Sequence, residues 1–350
     1  MPSKRLRESY GQKEDEDLFN QYEVLMAGAQ EYVNSFDSKR EVEKIAQDKS
    51  MKSKCEDHKE KLVKHEALMV EIQKYINSFN KASIGKSKAE NVKEICVLDD
   101  VSIGKENVKI RAMNGVDWKN PLRFIYTSRI IYPDWFHPIE SIGCNCTNGC
   151  SDSHKCPCVL KNGGEIPFNE RGAIVRAKLL VHECGPLCKC PPTCMNRVSQ
   201  RGPQCQLEIF KTKSRGWGLR SRSSISSGDF ICEYIGELLQ DKEAEQRIGQ
   251  DEYLFDISND SFAIDAAKYG NIGRFINHSC SPNLYAQKVL YDHNDKRMPH
   301  IMFFATKNIP TLREITYDYN YKIGRVCDVN GNIKTKECHC GSRKCIGRLY

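Results

Sequence analysis

From residue 144 to residue 194 the chain reads CNCTNGCSDSHKCPCVLKNGGEIPFNERGAIVRAKLLVHECGPLCKCPPTC. Its nine cysteines are Cys144, Cys146, Cys150, Cys156 and Cys158, then, after a gap of 25 residues, Cys184, Cys188, Cys190 and Cys194. The stretch has few large apolar side chains, so thiolate-bound metal stands in for an apolar core, and metal binding and folding become one event. Zinc takes four ligands in a tetrahedron, and nine cysteines do not divide into fours. About three zincs need about twelve ligand places, which nine thiolates fill if three of them bridge. The spacing predicts one trinuclear cluster. Independent zinc sites with a spare thiol are the alternative, and the tight C-x-C pairs argue against them.

Working outward, Cys338-x-Cys340-x4-Cys345 offers three further ligands. A structural zinc wants a fourth, and Cys280 in Asn277-His-Ser-Cys-Ser-Pro-Asn283 is the best donor. His339 is a rival, but it lies between two ligands. A Cys280 ligand would tie the 338–345 stretch to the Asn277–His278 turn. Five cysteines remain of 18, Cys55, Cys96, Cys205, Cys232 and Cys327, and buried inert thiols are expected for them. Across 350 residues, 53 Lys and Arg against 46 Asp and Glu leave a net charge of +7, which suits an anionic neighbourhood such as chromatin. No run of about 18 apolar residues exists, which excludes a transmembrane helix. The opening residues lack the apolar region of a secretory signal, so reduced thiols are expected.

Residues 1–95 are rich in Lys and Glu and hold an internal repeat of period 43. YEVLMAGAQEYVNSFD (Tyr22–Asp37) matches HEALMVEIQKYINSFN (His65–Asn80), with apolar spacings of 3 and 4 that predict two amphipathic helices. They would pack on each other or serve a protein partner or self-association. Residues 96–143 form an N-flanking segment containing a predicted strand, Phe124–Tyr132. Residues 144–198 are the cysteine module. Residues 204–322 show short apolar runs cut by turn signals, including Leu207–Phe210, Phe230–Ile235, Tyr253–Ile257, Ile301–Ala305 and Glu314–Tyr319, and predict a mostly-β domain of small sheets. Its one expected helix is Glu237–Gln250. Residues 323–350 are a linker and the C-terminal zinc motif.

Nine cysteines, then Gly216-Trp-Gly218, then Asn277-His-Ser-Cys280, then Tyr317-Asp-Tyr319, then C-x-C-x4-C together resemble a pre-SET, SET and post-SET protein. The phrases ICEYIGELL, NGGEIPFN and LEIFKTKSRGWGL are similar to the plant Su(var) homologue (SUVH) histone lysine methyltransferases. The resemblance spans about residues 96–350. It implies a mostly β SET fold, with small sheets and a knot-like active site, a zinc-cluster pre-SET subdomain, a zinc post-SET tail and an α-helical N-terminal region. Two departures stand out. The charged 1–95 stretch leaves no room for the methyl-DNA-reading SRA domain usual in this group, so no such reading is expected. The loop Thr311-Leu-Arg-Glu314 replaces the common Gly-Glu-Glu.

The resemblance implies methyl transfer from S-adenosylmethionine to a lysine amine. Such a reaction needs alignment, a deprotonated amine and an aromatic sleeve for the lysine stem. Arg215, Gly216, Trp217 and Gly218 would cradle the cofactor. Tyr253 and the second segment Arg274, Phe275, Asn277 and His278 would complete its site. Tyr319 matches the catalytic tyrosine, and a phenol of pKa about 10 positions rather than deprotonates. Tyr253 lines the lysine channel. Tyr317 occupies a product-limiting position and implies mono- and dimethylation. Tyr317 and Tyr319 share a strand face by the period of two. Asp256 and Asp265 are candidates to receive a basic tail, which would add as an edge strand.

The expectation is thus a histone H3 lysine-9 methyltransferase of nuclear chromatin, acting in heterochromatin formation and silencing, with the H3 tail or nucleosome as partner and no membrane. Its cofactors would be S-adenosylmethionine and Zn2+, three ions in the nine-cysteine cluster and one at Cys280, Cys338, Cys340 and Cys345. A methyltransferase of a non-histone lysine and a weakly catalytic zinc-stabilised adaptor are the alternatives.

Overall fold

Short strands are what this sequence allows, because its β-branched and aromatic runs are cut every few residues by Gly, Pro, Asn and Asp. The computed structural model describes residues 93–137, 139–150, 155–247, 252–257, 262–328 and 330–350. The 43-residue repeat, the helical region and Cys55 lie outside the described residues. In chain order the strands are β1 (Ile95–Leu98), β2 (Arg111–Asn114), β3 (Ile125–Tyr126), β4 (Val181–His182), β5 (Leu207–Lys211), β6 (Trp217–Ser221), β7 (Phe230–Glu233) and β8 (Glu237–Gln240). They continue with β9 (Leu254–Asp256), β10 (Phe262–Asp265), β11 (Tyr269–Gly270), β12 (Asn277–His278), β13 (Leu284–Leu290), β14 (His300–Ala305) and β15 (Glu314–Tyr317). Helices α1 (Pro157–Leu160) and α2 (Asp241–Glu245) are single turns. No described helix is long and apolar enough to cross a membrane.

Four sheets result, with strand orders β1-β2-β5-β6-β15-β12, β4-β13-β14-β7, β8-β10-β9 and β11-β3. The fold is mostly β. The segment before residue 143 shares the largest sheet, since β2 runs parallel to β5 with Ala112 opposite Ile209. All six residues of β14 are buried, as a central strand covered on both faces requires. Ile209, Leu219, Ile231, Ile264, Ile272, Phe303 and Ile315 form the main core between the sheets.

Three expectations are corrected. The strand over Phe124–Tyr132 shrinks to β3, because the Thr127 hydroxyl bonds the Arg129 backbone at both its N–H (3.3 Å) and its carbonyl (2.9 Å), making a turn. The helix over Glu237–Gln250 is instead β8, paired with β10, followed by α2. Cross-strand pairing of Leu238 and Leu239 with Ile264 and Ala263 outweighs local helix spacing. Cys96 and Cys327 are exposed and Cys205 half-buried; of the described remaining thiols only Cys232 is buried.

The cysteine module has a core of its own made almost wholly of sulfur, with eight cysteines buried together beside Val159. It is fastened to the larger body by β4, which pairs parallel to the end of β13 with Val181 opposite Val289. Gly185 makes the approach possible: a Cβ there would stand 1.6 Å from the Tyr291 carbonyl oxygen. The buried Glu183 carboxylate accepts from the Ser199 N–H at 2.9 Å and Gln200 Nε2 at 2.7 Å, closing the module's far end.

Candidate active site

The site forms where three distant pieces of chain meet: the hairpin into β6, the segment through β12, and β15 with its continuation. Asn277 lies beside Thr316 and His278 beside Tyr317 in parallel register. The segment after β12 then crosses over β15. The Ser279 N–H donates to the Tyr317 carbonyl at 3.0 Å, and the Asn283 N–H to the Thr316 carbonyl at 3.1 Å. Asn283 clasps the strand with its amide as well, Nδ2 to the Glu314 carbonyl (2.8 Å) and Oδ1 from the Thr316 N–H (2.8 Å).

Glu314 sits at the centre of the cradle. Its carboxylate pairs with the Arg215 guanidinium and accepts from Asn277 Nδ2 at 3.0 Å. Asn277 Nδ2 also donates to the Trp217 carbonyl at 3.1 Å, and Arg215 Nη1 to the His278 carbonyl at 3.3 Å. Gly218 makes room, since a Cβ there would meet Glu314 Oε1 at 2.9 Å and Asn277 Nδ2 at 3.1 Å. Gly216 has φ +70° at the tip of the hairpin, a conformation that costs glycine little. Arg215 Nε is buried and has no hydrogen-bond partner among the described residues.

Tyr319 Oη donates to the Ile276 carbonyl at 2.9 Å, and its backbone N–H donates to His278 Nδ1 at 3.2 Å. Burial, with the phenols of Tyr321 and Tyr253 nearby, pushes Tyr319 well above the usual phenol range. Tyr317 lies 4.7 Å from Tyr319 between ring centroids and stacks on Phe255 at 5.8 Å, and burial raises it strongly too. Burial also holds the His278 imidazole below its ordinary value.

The other expected residues are placed as follows. The Arg274 guanidinium lies 4.0 Å from the Tyr253 ring centroid and 4.3 Å from that of Phe124, with Nε donating to the Ala266 carbonyl at 2.8 Å. It braces Tyr253 from behind. Phe275 is buried in the core against Phe124. Asp265, expected to meet a basic tail, is fully buried and committed to Arg247 at 2.6 Å and the Ala267 N–H at 2.8 Å. Asp256 remains exposed, on β9 at the edge of its sheet. The residues missed in the sequence are Glu314 and Asn283. Each stood inside a motif already noted, but its partner is far along the chain.

Cysteine geometry can be tested against zinc. A tetrahedron with zinc–sulfur bonds of about 2.3 Å has sulfur–sulfur edges of about 3.8 Å. Cys144–Cys150, Cys150–Cys184 and Cys158–Cys188 are each 3.6 Å apart, and Cys280–Cys338 is 3.8 Å. Three overlapping quartets in the module have all their sulfurs within 4.8 Å: Cys144/150/156/184, Cys144/184/188/190 and Cys150/184/190/194. Cys146 lies against Cys156 and Cys150. A separate quartet is Cys280, Cys338, Cys340 and Cys345. Both groups fit thiolate-bound zinc.

A cradle of this kind on small β sheets, beside a sulfur-cored module, defines a SET-domain protein. The SET domain model matches residues 216–320 and the pre-SET motif model residues 102–197. A histone-lysine N-methyltransferase from Arabidopsis thaliana, H3 lysine-9 specific SUVH5, is 60% identical over 269 residues, which are 76% of this chain and 34% of that protein. The crystal structure of Arabidopsis thaliana SUVH6 in complex with SAM superposes with a TM-score of 0.71 at 55% identity, over 76% of this chain and 57% of that one. The methyltransferase domain of human SETMAR gives 0.62 at 31% identity, over 72% of this chain and 98% of that one. The chain belongs to the pre-SET and SET family, in its SUVH-type branch. It spans about a third of the length of SUVH5.

Proposed function

We propose that this chain is a nuclear, chromatin-acting histone H3 lysine-9 methyltransferase that uses S-adenosylmethionine. One observation carries the reading: Tyr319, with its hydroxyl hydrogen on the Ile276 carbonyl, is joined through His278 to Arg215 of the Arg215–Glu314–Asn277 cradle. The activity of SUVH5, as its name states it, and the cofactor in the SUVH6 complex support this assignment.

When bound, S-adenosylmethionine supplies an electrophilic methyl carbon on a sulfonium. The residues that would hold it are Arg215, Gly216, Trp217, Gly218, Asn277 and His278, with Glu314 fixing the first and fifth of these. Because Tyr319 Oη donates to Ile276, its lone pairs face outward as acceptors. They would take an N–H of the target amine and leave the nitrogen lone pair free for attack. A phenol raised by burial is no base at neutral pH, so the amine's proton departs to water. Tyr253 and Phe255 would wall the lysine stem, and the Tyr317 hydroxyl would limit the methyl count, giving mono- and dimethyl product. The nine-thiolate module would hold three zinc ions and the Cys280 quartet one. Partner capture or self-association through residues 1–95 belongs to this reading on their repeat spacing alone.

The test is radiolabelled methyl transfer to H3-tail peptides in which single lysines are replaced. Label should be lost only when lysine-9 is replaced, and Tyr319→Phe should lose at least about 100-fold in rate while still binding S-adenosylmethionine. Full activity of Tyr319→Phe, or no dependence on lysine-9, would remove the proposal.

A further inference from the structure

We infer that Phe124, in the segment before the cysteine module, is a positioning residue that sets the Tyr253 ring through Arg274. The inference deepens the role given above to Tyr253 as a wall of the lysine channel and rests on it. Two aromatic rings share the Arg274 guanidinium, that of Phe124 with its centroid at 4.3 Å and that of Tyr253 at 4.0 Å. Phe124 also meets Phe275, the next residue along from Arg274, edge-on at 5.6 Å. Phe124 precedes the cysteine module and Tyr253 and Arg274 follow it, so the channel wall draws on chain from both sides of that module.

A buried cation needs its charge matched. Arg274 is buried, yet its printed hydrogen bonds go to backbone: Nε to the Ala266 carbonyl at 2.8 Å and Nη2 to the Ala267 carbonyl at 3.2 Å. Asp265, whose charge reaches it, is committed to Arg247 at 2.6 Å. The two rings therefore stand in for a carboxylate, since an aromatic face attracts a cation within about 6 Å, and more strongly where water is excluded. With one ring removed, the guanidinium keeps its carbonyls but loses what holds it against Tyr253.

Backbone pairing delivers Phe124 to this place. β3 follows it directly and runs parallel to β11, with the Ile125 N–H donating to the Lys268 carbonyl and the Thr127 N–H to the Gly270 carbonyl, each at 2.8 Å. β11 ends just before the turn Ile272–Phe275 that carries Arg274. On the other side, the Tyr253 backbone is pinned, its carbonyl accepting from Tyr234 Oη at 2.6 Å and from the Ala266 N–H at 3.1 Å. The tilt of its ring is left to what lies on its face, and that is Arg274. The Tyr253 phenol is close enough to Tyr319 for its charge to be felt there, so a tilt is passed on to the reacting group.

The experiment is steady-state kinetics of the full chain on an H3-tail peptide. Phe124→Leu keeps an apolar side chain but has no π face, and should lower kcat about fivefold, the rate equivalent of one cation–π contact. Phe124→Tyr keeps the face and should bring kcat back to within about twofold of the unaltered chain. In an Arg274→Gln background, where no cation remains to be held, Phe124→Leu should cost little more. An equal fold-loss in both backgrounds, or Phe124→Tyr as slow as Phe124→Leu, would overturn the inference. Should no histone peptide be methylated, or should Arg274→Gln not fold, fluorine NMR of the full chain carrying 3-fluorotyrosine decides, with the Tyr253 signal assigned by its absence in Tyr253→Phe. Phe124→Leu should move and narrow that signal, and Phe124→Tyr should leave it in place. A Tyr253 signal identical in Phe124→Leu and the unaltered chain would overturn the inference whatever the activity.

Discussion

Leu312 has a backbone φ of +61° in the loop before Glu314, and this region costs an L side chain about 1–2 kcal/mol. Its N–H donates to the Ser221 carbonyl at 2.7 Å, so the geometry is imposed by the docking of the loop on β6. Its side chain is 53% exposed and gives up little on removal. Leu312→Gly should therefore raise the melting temperature, by roughly 1 kcal/mol of stability, and a lowered one would show that the side chain packs. At Tyr317, replacement by Phe removes a buried hydroxyl beside Tyr319 without emptying the site. Mass spectrometry of the product should show a larger trimethyl share, and an unaltered ratio would count against its limiting role. Asn277, His278 and Cys280 stand within one short motif and Tyr319 in a second, which is why the sequence put them forward as candidates. The Arg215–Glu314 pair was not legible, since 99 residues separate its members and nothing local marks either as the other's partner.

The sheet β4-β13-β14-β7 carries a buried charge clamp. His300 on β14 donates from Nδ1 toward Glu233 of β7 at 2.7 Å and from Nε2 toward Asp292, just past β13, at 2.9 Å. Burial opposes charge on the ring, but the two carboxylates outweigh it and raise His300 to about 10. The folded value lies above the unfolded one of about 6.5, so the clamp stabilises fully below that pH and fades as pH rises toward 10. Melting temperature should fall across that interval. His300→Gln should cost about 3–5 kcal/mol at neutral pH by leaving the carboxylates unmatched, and should flatten the alkaline decline. A decline of equal slope in the variant would assign it to other groups. Strands such as β7 and β14 were legible because the runs Phe230–Cys232 and Ile301–Ala305 are apolar on both faces. β8 was not, because its identity comes from pairing with β10 across a segment the local pattern says nothing about. The helix that follows starts where Glu243 accepts from the Gln240 N–H at 2.9 Å, four residues later than expected.

For the molecule as a whole, sulfur replaces oil in one of its cores. Zinc analysis should return about four ions per chain, and a count near two would contradict the shared-thiolate cluster. Chelation should abolish the cooperative unfolding transition of the cysteine module, since among the described residues Val159 is the one buried apolar residue clustered with its cysteines. That the module would be cored by sulfur was legible in nine cysteines. How it fastens to the sheets was not, because Gly185 and β4 act through contacts with residues about a hundred positions away. The strap of residues 279–283 has a further consequence. It is bonded to β15 at four points, and the cradle joins Arg215 to His278 and to Glu314, 63 and 99 residues on. Contacts of such long range form slowly and late. The largest sheet needs β15 beside β6 in the same way, so the cradle is completed only when that sheet closes.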